Sequence, residues 1–354
     1  MKKQLSDLGE FRLLQEIVLP TLGGDELSVP LGDDCAYARI PESTALLVVT
    51  SDAAPRPLVW DLGCKSYWSW GWYAVMINAS DLAAAGARPF LFTSSVDAPE
   101  SMLVDEFRSF FQGMAAACHA FSFTNAGGNI RAAPRFACHG TALGTEMRST
   151  PISRSGCEPS DVVVSIGVSG RFISAYLMAR RNGMASLPQE DRRRLFRPMP
   201  KLREMALLHE AGLIRAASDN SDGLLGALWN IVERSSCAIE LDLDNLVIPE
   251  EVRAAARLEQ LNPWNLFFFW GDWQVIGTVP LGKLADFQKL AEREQIEHTI
   301  LGRAVEGESA VYGLRDGERC RMQIVRSENF AHDSFAGDLH AHLNFMLNSP
   351  LFVD

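Results

Sequence analysis

"NASDLAAAGARP" (residues 78–89) places one carboxylate, Asp81, inside a run of small apolar residues. The alanines read as a buried helix, and Gly86 reads as its stop. An unpaired carboxylate buried there is expensive. Either this end of the helix is exposed, or something positive meets Asp81.

The flanking segments define the frame. "LLVVTSD" (46–52) is a β-rich run that delivers Asp52 at its C-terminal edge. A helix is predicted from about residue 65 to 85, a strand over 90–97, a helix over 101–121 and a strand over 135–146. "STPISRSGCEPSD" (149–161) is rich in Ser, Pro and Gly and reads as a linker or turn. Beyond it, "VVVSIGVSG" (162–170) reads as a strand and glycine turn, followed by a helix from about 172 to 181. A helix over 224–236 and a strand over 272–280 follow. Strands and helices alternate in both halves, which predicts an α/β or α+β protein of two domains, 1–149 and 150–354.

The chain has 354 residues, 47% hydrophobic and 22% charged, ordinary for a globular protein. Its net charge of −11 argues against a nucleic-acid surface, which needs clustered Lys and Arg. It leaves room for a small phosphorylated ligand, since a metal ion bridges carboxylates to phosphate. The N-terminal residues lack the apolar core of a signal peptide, and no run long enough to span a membrane is present. Seven cysteines (35, 64, 118, 138, 157, 237 and 320) form no CxxC pair and fit reduced thiols in the cytoplasm. "HAH" (340–342) reads as part of a solvated C-terminal helix rather than a metal site.

Four short motifs put Asp beside Gly or Ser at the end of an apolar element: "LGDDCA" (31–36), "VTSDA" (49–53), "NASDLAA" (78–84) and "SDNSDG" (218–223). Each has a local reading. Asp33–Asp34 suits an Asx turn, Asp52 ends a strand, and Asp219 or Asp222 suits a helix cap. Together they form an oxygen-rich set of the kind that holds Mg²⁺, which in turn holds nucleotide phosphates. The chain has no GxxxxGK[ST] loop and no kinase-type GxGxxG. If it binds ATP, carboxylate-held Mg²⁺ must do most of the work.

These motifs, with "GEF" (9–11), "AGGN" (126–129), "SRSGCEPSD" (153–161) and "RPMP" (197–200), resemble the thiamine-monophosphate kinase family in order and spacing over roughly residues 9–280. That family belongs to the superfamily of aminoimidazole ribonucleotide synthetase, selenophosphate synthetase and a hydrogenase maturation factor. The resemblance implies an N-terminal ATP-binding domain that dimerises through its sheet. It also implies a C-terminal α/β domain that closes over nucleotide and a small-molecule phosphoryl acceptor. Carried over position by position, Asp34, Asp52, Asp81, Asp219 and Asp222 match metal ligands. Arg154 matches a phosphate-binding arginine, and Asp34, Asp222 and Arg154 the catalytic groups. Thr50, Ser51, Gly128, Asn129, Arg154 and Ser221 match the nucleotide side.

The acceptor side departs from the family pattern. Asn129 stands where the family has a metal-binding aspartate. The family's "GGEDYEL" reads "FWGDWQV" (269–275), so an acceptor-contacting glutamate becomes Gly271, beside a retained Asp272. A family histidine falls near Val59–Trp60, and "YWSWGWY" (67–73) is an added aromatic cluster. Trp60, Gly271 and Asp272 are therefore the candidate acceptor positions. Three outcomes stay open: a kinase, a synthetase that activates an oxygen by phosphorylation, and a nucleotide-binding scaffold.

Overall fold

Two β-sheets, one from each half of the chain, organise the computed structural model, which describes residues 12, 14–22, 29, 33–146, 148, 150–325 and 338–353. The motif at 9–11, residues 31–32 of the "LGDDCA" motif and residues 335–337 lie outside the described residues. The fold is mixed α/β, as the alternation of elements predicts.

The first sheet contains β1 (Ala36–Arg39), β2 (Leu46–Ala53), β3 (Arg88–Ala98), β4 (Thr124–Ala132) and β5 (Ala137–Glu146), in the order β1-β2-β5-β3-β4. Only the β3–β4 pair is parallel. β4 contains the "AGGN" motif, which the sequence reading does not assign to a strand. Helices α1 (Tyr67–Ala84) and α2 (Val104–Ala120) cover one face. Their backbones approach closely because glycine stands at the crossing. A Cβ on Gly71 would lie 1.9 Å from the Phe110 carbonyl oxygen, and one on Gly113 1.8 Å from that of Trp68.

Ser66 caps α1 by accepting a hydrogen bond from the Ser69 amide at 3.1 Å. Residues from Ser69 to Ala84 are all buried. A surface helix would show one polar stripe, but α1 is sandwiched between the first sheet and the second half of the chain, so small apolar residues surround it. One continuous apolar core runs through this contact, joining Trp72 and Leu82 to Leu208, Val275 and Phe287. Docking two domains on one helix brings β7 and β2 to the same end of α1.

The second sheet contains β6 (Val162–Ile166), β7 (Ala217–Asp219), β8 (Ala238–Asp242), β9 (Val275–Val279), β10 (His298–Val305), β11 (Val311–Arg315) and β12 (Glu318–Arg321), in the order β12-β11-β8-β10-β6-β9-β7. Its helices are α3 (Arg171–Asn182), α4 (Gln189–Phe196), α5 (Leu202–Glu210), α6 (Leu224–Glu233), α7 (Glu250–Glu259), α8 (Pro263–Phe267), α9 (Leu284–Glu294) and α10 (Leu339–Asn348).

The C-terminal helix exists as the "HAH" reading expects, but it is not simply solvated. Leu343, Met346 and Leu347 are buried, His340 pairs with Asp61 at 3.1 Å, and the His342 ring lies 6.3 Å from that of Trp270. Among the described residues no helix is long and apolar enough to cross a membrane.

Candidate active site

Four chain segments meet where the two domains touch. The loop before β1 supplies Asp33 and Asp34, and the last turn of α1 supplies Asp81. The end of β7 supplies Asp219, and the segment between the sheets supplies Arg154. One carboxylate oxygen from each of Asp34, Asp81 and Asp219 lies within 4.8 Å of the others. Three of the five expected metal ligands are thus brought together from positions far apart in sequence.

Neighbouring groups fix each carboxylate. Thr50 donates to Asp81 at 2.6 Å. Ser80 and Ser221 each donate to Asp219 at 2.9 Å. The Arg154 guanidinium meets Asp34 at 2.5 Å, and its backbone N–H donates to Asp33 at 2.9 Å. Asp33 also accepts from the Asp34 amide at 2.9 Å, one residue on rather than the two of an Asx turn, and the same side chain orients Arg154.

The electrostatics are those of an underneutralised site. Burial, then Asp34, pushes the Asp33 carboxyl up to about 6. Burial, then Asp34, does the same to Asp219, also to about 6. Burial pushes Asp81 well above the carboxylate range, and Asp52, Asp219 and Asp34 add to this. Burial opposes the Arg154 cation, but Asp34, Asp33 and Asp219 outweigh it and hold the guanidinium above its ordinary value. The Asp34 side chain is only 3% exposed, and its Oδ2 is buried without a hydrogen-bond partner among the described residues. Among the described residues, one cation beside four carboxyl groups leaves negative charge that a bound cation would offset. Hard oxygen donors, an orphaned carboxylate oxygen and excess negative charge fit Mg²⁺.

The question set by Asp81 has an answer different from the simplest expectation. The positive charge of the cluster, Arg154, contacts Asp34, while Thr50 is the donor on Asp81. Among the described residues Asp81 has no ion-pair partner.

The remaining expected residues divide. Asp52 lies two residues beyond Thr50 on β2, on the same side of the strand, near enough to raise Asp81. Asn78 accepts from its amide at 3.2 Å. Asp222 follows Asp219 by three residues on the loop into α6. Ser51 is not at the cluster: strand alternation turns it to the other sheet face, where it donates to the Gly140 carbonyl at 3.0 Å and meets the Thr141 hydroxyl at 2.9 Å. Gly128 and Asn129 are not at the cluster either. They lie on edge strand β4, three strands from β2 and roughly 14 Å away across the ladder.

On the acceptor side, Trp60 is half-buried. Its indole N–H donates to the Ser66 carbonyl at 3.2 Å, and its ring packs edge-on against Tyr67 and Trp70. Of the added aromatics, Trp70, Trp72 and Tyr73 are buried, and each donates to a backbone carbonyl. That is packing rather than an open aromatic wall. Asp272 accepts from the Phe172 amide at 2.9 Å and so occupies the N-terminus of α3. Gly271 has φ +106°, and a Cβ there would lie 2.2 Å from the Phe172 ring. The space for a longer side chain is filled by Phe172. Gly271→Glu is therefore expected to cost about 2–4 kcal/mol in urea unfolding. An unchanged midpoint would show that Phe172 yields freely.

Asp33, Asn78 and Ser80 are site residues to which the sequence reading gives no role at the site. Their signals were present: Asp33 is the first half of an Asp pair, while Asn78 and Ser80 are polar residues of the alanine-rich stretch.

The first sheet and its helices fall within a match, over residues 32–145, to the AIR synthase related protein, N-terminal domain. The second region matches the corresponding C-terminal domain over 158–313. The chain belongs to the AIR synthase-related family through both domains. The chain is similar to curated relatives that are thiamine-monophosphate kinases. It is 28% identical to that enzyme from Pyrococcus horikoshii over 303 residues, 84% of this chain and 90% of the relative. It is 26% identical to that of Escherichia coli strain K12 over 317 residues, 86% of this chain and 93% of the relative. A solved structure described as AaThiL complexed with AMPPCP and TMP aligns with a TM-score of 0.75 at 24% identity. It covers 92% of this chain and 99% of its own, and shows the shared fold.

Proposed function

We propose that this chain is a Mg²⁺-dependent kinase that transfers the γ-phosphoryl group of ATP to a small-molecule acceptor. The observation that carries the reading is the three-carboxylate cluster of Asp34, Asp81 and Asp219, built from both domains, with Arg154 beside it. The similarity to thiamine-monophosphate kinases over most of the chain supports the same class of reaction.

Asp34, Asp81 and Asp219 would hold the metal, with Asp52 and Asp222 beside them. When bound, Mg²⁺ supplies charge neutralisation between these carboxylates and the phosphates of ATP. Thr50 fixes the Asp81 carboxylate, and Ser80 and Ser221 fix that of Asp219. Preorganised donors and charges of this kind need no rearrangement when charge develops. Arg154 is placed to exchange part of its contact with Asp34 for a phosphoryl oxygen. Its Asp33 tether holds the backbone still during that exchange.

Gly128 and Asn129 belong to this reading as more distant nucleotide positions, and Trp60, Gly271 and Asp272 as the acceptor side. The sheet face opposite α1 carries Leu47, Val49, Leu91 and Leu143, only partly covered. This supports a homodimer formed through that face. The setting we propose is the cytoplasm.

The test is a ³¹P NMR time course with Mg²⁺–ATP and thiamine monophosphate, the acceptor named for the relatives. Formation of ADP and thiamine diphosphate is the expected result. ADP without thiamine diphosphate would remove that acceptor and favour another substrate, phosphorylated by a kinase or activated by a synthetase. ATP that binds yet stays intact with every acceptor offered would overturn the reading.

A further inference from the structure

We infer that Cys157 and Cys237 form an oxidisable dithiol site, in which hydrogen peroxide converts two buried thiols into a disulfide joining the interdomain segment to the second domain. The two sulfur atoms lie 3.5 Å apart, with Cys157 5% and Cys237 0% exposed. A disulfide requires about 2.05 Å, so roughly 1.5 Å of closure is needed, within the range of small side-chain rotations. Ser235 holds both partners in place. Its hydroxyl accepts from the Cys157 amide at 3.1 Å, and its carbonyl accepts from the Cys237 amide at 2.7 Å.

The thiolate is the reacting form, and the two thiols share one S–H···S contact at 3.5 Å, so a thiolate on either sulfur faces the thiol of the other. In the first step the Cys237 thiolate attacks one peroxide oxygen. The O–O bond breaks, the sulfur is oxidised to a sulfenic acid, and the leaving oxygen departs as water after taking up a proton. In the second step the Cys157 sulfur attacks the sulfenic sulfur, loses its proton and expels a second water. Two thiols and one peroxide thus give one disulfide and two waters.

The bond would close a loop between positions 80 residues apart. Cys157 lies three residues after Arg154, in a segment whose Ser153 carbonyl accepts from the Ala217 amide at 2.9 Å. Oxidation would therefore tie down the strip of backbone that carries Arg154 over the acidic cluster.

The full-length protein is treated with hydrogen peroxide, then denatured and titrated for thiols. The count is expected to fall from seven to five, with a mass loss of about 2 Da and a Cys157–Cys237 cross-linked peptide in a non-reducing digest. Dithiothreitol should restore all seven. The thermal midpoint should rise by about 5 °C or more on oxidation and fall back on reduction. Cys157→Ser and Cys237→Ser should each lose both the cross-link and the midpoint rise. Oxidation confined to other cysteines, or irreversible oxygen addition with Cys157 and Cys237 still open to alkylation, would overturn the assignment. The peptide map on the unmutated chain decides this even if a variant folds poorly.

Discussion

Asp81→Asn is expected to lower ATP-dependent phosphoryl transfer at least ~1,000-fold, about 4 kcal/mol of transition-state stabilisation, while leaving the fold intact. Asparagine keeps the shape and still accepts from Thr50, so local structure survives. What disappears is one of the three carboxylate ligands whose oxygens converge within 4.8 Å. The variant should differ from wild type in stability in a way that a merely structural residue would not. In EDTA, wild-type Asp81 is a buried carboxyl that burial and three neighbouring aspartates already disfavour as an anion. Asparagine is a neutral stand-in for that disfavoured acid, so the metal-free variant should melt no lower than metal-free wild type. Added Mg²⁺ should then raise the wild-type midpoint but not that of the variant. A variant that still gains stability from Mg²⁺ and keeps its rate would remove Asp81 from the metal site.

Arg154→Met is expected to destabilise the metal-free protein by about 3–5 kcal/mol at pH 7.5. The guanidinium is 19% exposed and is the cation of the cluster. Methionine fills much of the same space, so the loss reflects carboxylates left without a partner. The pH dependence follows from the direction of the carboxyl shifts. Asp33 and Asp219 titrate near 6 in the folded protein, above the ordinary carboxylate value. Between about pH 4 and 6 the folded form binds more protons than the unfolded chain, so these groups make stability fall as pH rises. Loss of Arg154 pushes both carboxyls higher and extends that fall toward neutral pH. Urea unfolding at pH 5 should thus recover part of the stability lost at pH 7.5. Arg154→Lys should recover part of it at either pH, because charge is restored without the fork geometry. Equal unfolding curves for wild type and Arg154→Met at pH 7.5 would contradict this account of the cluster.

Much of the fold was legible from local pattern. The β-rich run at 46–52 became β2, the alanine-rich stretch became the end of α1, and the Ser/Pro/Gly-rich linker fell between the sheets. Each of these depends on periodicity or turn chemistry over a few residues. The placement of β4 was less legible because its "TNAGGNIRA" carries no alternation: all nine residues are exposed on a sheet edge. The reading of the C-terminal helix as solvated missed its apolar face because burial there depends on partners such as Trp270.

The sequence by itself determined the chemical kind of this protein: aspartates at element ends, a mixed α/β chain in two parts, and motifs that mark its family. Only the tertiary structure decided which charges meet. Asp34 and Arg154 are 120 positions apart, and Ser80 and Asp219 are 139 apart. Their contacts exist because both domains dock on one buried helix. The same docking leaves Asn129 on a distant edge, and strand alternation turns Ser51 to the opposite sheet face. A residue's type and local period are written in its neighbours along the chain, whereas electrostatic partnership falls off over a few ångströms and is set by packing.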